Sequence, residues 1–91
     1  MEHKSLVKIR VTRKGNGQPI AGYTVEVIAV VHENEEDNIT DADGYIKPFY
    51  MDMNDYVYAD VFVRDPNENM VVEADRQYVL TSPETIINIE V

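Results

Sequence analysis

A two-residue period governs most of this chain. Val7, Ile9 and Val11 are apolar, and Lys8, Arg10 and Thr12 alternate with them. Successive side chains of a β-strand point to opposite faces, so this pattern predicts a strand with one buried face. Residues 13–19 follow as a turn, since Gly15, Asn16 and Gly17 tolerate a positive φ. Tyr23, Val25, Val27, Ala29 and Val31 then alternate against Thr24 and Glu26 and predict a second strand. Its far end loses the alternation: Val27-Ile28-Ala29-Val30-Val31 is apolar throughout. A half-exposed strand keeps a polar residue at every second position. Ile28 and Val30 are therefore expected to lie on a face that something covers.

The rest of the chain continues in short pieces. Residues 32–38 read as a polar, acidic loop, and Asp41-Ala42-Asp43-Gly44 as a tight turn with Gly44 at the positive-φ position. Strands are expected at 45–50, 56–64, 70–73 and 77–80, with a last one carrying Ile87, Ile89 and Val91. One helical turn fits at 74–77. Turns recur about every ten residues with no amphipathic helix between them, which predicts a sandwich or barrel. The expected architecture is an all-β, antiparallel Greek-key sandwich of about seven strands, occupying residues 1–91 as one domain.

Three segments occur in a recognisable order. Gly17-Gln18-Pro19-Ile20-Ala21-Gly22 opens the second strand, Thr40-Asp41-Ala42-Asp43-Gly44-Tyr45 forms the acidic turn, and a strand starts at Tyr56. This order resembles the transthyretin-like sandwich, and within it the carboxypeptidase regulatory-like domains, over roughly the first two thirds of the chain. The resemblance implies an accessory or interaction module without catalysis of its own. The motifs behind it are structural and say little about function.

Composition excludes several functions. There is no cysteine, so neither a disulfide nor a thiolate site is available. Seventeen acidic residues against eight basic ones give a net charge of −9. Such a chain repels phosphate, and Lys4, Lys8, Arg10, Arg13 and Lys14 make only a local basic stripe, so neither nucleic acid nor a membrane is expected as partner. Met1-Glu2-His3-Lys4 leads into alternating residues and not an apolar run, so cytoplasmic placement is expected, with export in a larger assembly as the other route.

The chemical constellations are sparse. Aligning Gly44 with the invariant glycine of a calcium loop puts Ile39 first and Tyr50 last, and neither side chain ligates calcium. A looser cation site would draw on Glu35, Glu36 or Asp37 with Asp41 and Asp43. His3 and His32 are the only histidines and have no serine nucleophile suggested beside them. The sandwich enzymes of this architecture need iron ligands or a C-terminal Tyr-Arg-Gly-Ser, whereas this chain ends Asn88-Ile89-Glu90-Val91. Lys8 in the first strand and Asn88 in the last resemble the pair that forms an internal isopeptide bond in pilin-type sandwiches, but that chemistry needs both groups buried and alternation puts both on polar faces.

No enzyme activity, metal or cofactor is expected. The expected function is a protein-interaction or structural accessory module, with cation or small-ligand binding by the 33–43 loop as the alternative. Candidate contact residues are Ile28 and Val30, and the aromatic stripe Tyr56, Tyr58 and Phe62. The opposite face of that strand, Val57, Ala59, Val61 and Val63, is expected to be core. The partner is another protein or a second copy of the chain.

Overall fold

The computed structural model describes residues 3–72 and 76–91. Its strands are β1 (Lys4–Thr12), β2 (Thr24–Val27), β3 (Phe49–Asp52), β4 (Tyr58–Arg64), β5 (Met70–Val72), β6 (Gln77–Val79) and β7 (Glu84–Glu90). They form two sheets. One has the order β3-β1-β7. The other has the order β2-β4-β5, with β6 pairing to a second stretch of β4. Among the described residues there is no α-helix, only a single 3-10 turn at Glu35–Asn38. Residues 74 and 75 of the helical turn expected at 74–77 lie outside the described residues, and Gln77 starts β6.

The alternation of β1 is realised residue by residue. Ser5, Val7, Ile9 and Val11 are buried, while Leu6, Lys8 and Arg10 face outward in part. In β7, Thr85, Ile87 and Ile89 are buried between exposed Glu84, Ile86, Asn88 and Glu90. The second sheet adds Val25 and Val27 from β2 and Ala59, Val61 and Val63 from β4. These side chains join Ile20, Ile46, Met51, Val72 and Leu80 in one core. Two sheets closing on one core make a two-layer, sandwich-like arrangement. Each fully buried Val or Ile stabilises it by roughly 1.5–3 kcal/mol relative to exposure. The buried hydroxyls of Ser5 and Thr85 satisfy one another across the first sheet, and Thr85 Oγ1 also accepts the Thr81 N–H at 2.9 Å.

The expectation of a wholly antiparallel sandwich needs correction. β1 and β7 are parallel, in register from Leu6 opposite Glu84 to Thr12 opposite Glu90. Both strands present a buried apolar face and a polar outer face, and a two-residue period carries no information on relative direction. β1 with β3, and β4 with β2, β5 and β6, are antiparallel.

Three boundaries also move. The strand expected at 45–50 begins only at Phe49 and runs to Asp52, and Tyr45 ahead of it makes an isolated bridge to Arg10. The strand expected from residue 56 starts at Tyr58, which leaves Val57 outside the core and 64% exposed. The second strand, expected to run to Val31, stops at Val27. This last change creates the site described next.

Candidate functional site

β2 ends because the chain turns over Ile28 and Ala29. Ala29 lies in the left-handed region at φ 71°, and the Val30 N–H donates to the Val27 carbonyl at 3.1 Å. The Ile28 N–H still donates to Asp60 O at 3.0 Å, so the ladder with β4 reaches one residue past the strand. The five apolar residues at 27–31 then part company. Val27 enters the core, Val30 packs against its edge, and Ile28 and Val31 are 50% and 93% exposed.

The chain next passes His32, whose ring meets Phe49 of β3 edge-on with centroids 5.5 Å apart. It makes the 3-10 turn at Glu35–Asn38 and returns beside β2. There Ile39 bridges Thr24, Thr40 N–H donates to Tyr23 O at 2.8 Å, and Tyr23 N–H donates to Thr40 Oγ1 at 3.0 Å. Residues 28–39 therefore form an arch that leaves the end of β2 and rejoins it near its start.

Between the arch and the outer face of the second sheet lies a groove of about 710 Å³. Thr24, Glu26 and Phe62 contribute the sheet side. Ile28, Val30, Val31 and Ile39 contribute the arch side. Glu33, Glu35 and His32 stand in the arch, and Glu68 reaches the groove from the β4–β5 turn. Arg64 pairs with Glu26 at 2.8 Å and lies over the Phe62 ring, 5.2 Å from its centroid, which pins the polar and aromatic members of that sheet face together. His32 Nε2 is buried with no hydrogen-bond partner among the described residues.

The candidate contact residues divide between two places. Ile28, Val30 and Phe62 meet in the groove. Tyr58 shares the outer face of β4 with Phe62 but sits at the far end, opposite Val79 of β6. Tyr56 precedes β4, and both tyrosines are exposed and do not line the groove. The expectation that Ala59, Val61 and Val63 form the core face of that strand holds.

Val31, Ile39, Glu26, Glu68 and His32 join the same groove without a sequence pattern that links them. Alternation along a longer second strand places Val31 on the same face as Val25 and Val27, whereas the turn at Ala29 leaves it exposed. Ile39 carried one usable signal, an isolated aliphatic residue closing an otherwise polar loop.

The remaining constellations have ordinary surroundings. Asp41 Oδ1 accepts the N–H groups of Asp43 and Tyr45 at 2.9 and 3.0 Å, so it braces its own turn. Asp37 lies 3.8 Å from Lys47. Among the described residues, no group of three His, Cys, Asp or Glu side chains stands together in a way that would hold a metal ion. Lys8 pairs with Glu84 at 3.0 Å, and Asn88 lies opposite Arg10 on the exposed face of β7. No helix of the described residues is long and apolar enough to cross a membrane. Compared with protein-family models, with curated proteins and with solved structures, the chain matches none of them.

Proposed function

We propose that this chain is a non-enzymatic protein-interaction module of transthyretin-like, Greek-key design, and that the groove under the 28–39 arch is its docking site. One observation carries this reading. Three of the exposed large aliphatic side chains, Ile28, Val31 and Ile39, line a single groove together with Phe62. Scattered apolar residues on a surface need no explanation, whereas a concave cluster with an aromatic floor and a polar rim has the anatomy of an interface core.

Arg64 supports the same reading. It holds Phe62 and Glu26 in place before any partner arrives, which lowers the ordering cost of association. The groove lining contains neither serine, cysteine nor lysine, and its carboxylates are spread over a strand, an arch and a turn.

The test is selection from a random peptide library displayed on phage, with the Ile28→Ser/Val31→Ser double variant as the counter-target. Both residues are at least half exposed, so the variant keeps its fold. The expected result is a set of peptides that bind the natural chain and lose about tenfold in affinity on the variant, of the order found when interface anchors are truncated. Enrichment of peptides that bind both proteins equally, or no enrichment at all, overturns the reading.

A further inference from the structure

We infer that the occupant of the groove is a basic, extended peptide segment in which Lys or Arg residues flank an apolar side chain. The inference rests on the docking reading above and adds the chemistry of the partner. Four carboxylates line the groove: Glu26, Glu33, Glu35 and Glu68. Glu26 is neutralised by Arg64. The other three have no ion pair among the described residues, and no Lys or Arg lines the groove to balance them.

These carboxylates do not come from one acidic run. Glu33 and Glu35 belong to the arch and Glu68 to the β4–β5 turn, so negative charge reaches the opening from separate elements around the apolar side chains of Ile28, Ile39 and Phe62. A cation entering there gains from each of them, and an anion is repelled by each. A simple metal ion is not the best-fitting occupant, because it would leave Ile28, Val31 and Phe62 uncovered.

Shape sets the length. The groove follows β2 from Thr24 to Ile28, a run of about 13 Å at the rise of a strand, which suits roughly four extended residues. Side chains alternate in such a segment, so one set faces the apolar floor while the other reaches the carboxylates. A second copy of this chain is a poor occupant. Each copy carries a net charge of −9, and two copies meeting groove to groove would set Glu33, Glu35 and Glu68 of one against those of the other.

The experiment is titration of the isotope-labelled chain with three capped heptapeptides, followed by amide chemical shifts. The first alternates lysine with leucine, the second lysine with serine, and the third glutamate with leucine. The lysine–leucine peptide is expected to shift the amides of 24–39, Phe62 and Glu68, and to bind more tightly than either of the others. Its affinity should fall roughly threefold or more in Glu35→Gln/Glu68→Gln, since two carboxylates at the opening then lose their attraction for lysine. The charge-matched variant Asp55→Asn/Glu90→Gln, away from the groove, should stay within about twofold, within the screening expected of distant charges.

Equal loss in both variants would mean that only net charge is sensed, and overturns the inference. So does a shift map elsewhere on the surface, or dimerisation through the groove detected by light scattering. If the glutamate–leucine peptide occupies the groove instead, the basic partner is wrong and the docking reading stands. If no peptide shifts the groove and the library selection also fails, both fall.

Discussion

β1 and β2 look alike as strings of alternating residues and behave differently in space. β1 keeps its alternation for eight residues, from Lys4 to Val11, and every second side chain is buried. β2 keeps it for four, after which its apolar run is shared between core, core edge and surface. The polar residues make the difference. Lys8 and Arg10 commit one face of β1 to water, Lys8 through its pair with Glu84 and Arg10 by resting 5.4 Å from the centre of the Tyr45 ring. Beyond Glu26, β2 has no such residue, and the chain is free to turn. Uninterrupted apolar sequence at the end of a strand in a small domain is therefore as compatible with a turn that displays side chains as with a strand buried on both faces.

Substitutions in and around the two strands test that contrast. The largest effect is expected at Ile9, which is fully buried at the centre of β1. Ile9→Ala should cost about 2–5 kcal/mol, a large share of the roughly 5–15 kcal/mol available to a small domain. Thermal unfolding should move down by more than about 10 °C. A shift of only a few degrees would mean that the core does not rest on β1.

Gly44 comes second. It sits at φ 83°, its carbonyl accepts the Val11 N–H at 2.8 Å, and a Cβ there would fall inside contact distance of the Val11 carbonyl oxygen. Gly44→Ala combines left-handed strain with a clash against backbone and should cost about 1–3 kcal/mol. Denaturant unfolding that places the variant within about 0.5 kcal/mol of the parent would show that the 41–44 turn is not held against the end of β1.

The smallest effects are expected at the end of β2, where the order of two substitutions matters more than their size. Val30→Thr puts a hydroxyl against the core edge and should cost about 1 kcal/mol. Ile28→Thr acts on a half-exposed side chain and should stay within about 0.5 kcal/mol. A continuous strand apolar on both faces would make the two costs comparable, so equal losses in chemical denaturation would break the comparison.

The legible parts of this fold were those in which one residue and its neighbours carry the physics. The buried faces of β1, β4 and β7 follow directly from alternation, as does the positive φ of Gly44. The direction of β7 relative to β1 did not, since both orientations bury Ile87 and Ile89 equally well. The groove was legible only in part. Ile28 and Val30 announced themselves through missing polar neighbours, and Phe62 through its place on the outer face of β4. Ala29 concealed the rest. Alanine is not a residue that signals a left-handed turn, and its φ of 71° is what separates Val31 from the core and opens the arch. Glu68, also at a positive φ, reaches the groove from a turn far away in sequence, a proximity that no local pattern encodes.

The parallel course of β1 and β7 has a mechanical consequence. The two strands overlap over seven aligned positions, from Leu6 beside Glu84 at one end to Thr12 beside Glu90 at the other, about 20 Å further along at the rise of a strand. Tension applied between those points drags the neighbours lengthwise past each other. The rungs of the ladder then share the force at once, like the overlapping fibres of a spliced rope, and do not open one after another from a free tip. Resistance to pulling is governed by the rate of rupture and not by equilibrium stability. Stretching along this axis should thus meet far more opposition than prising β3 away from the opposite side of the same sheet, where the overlap with β1 is only four positions.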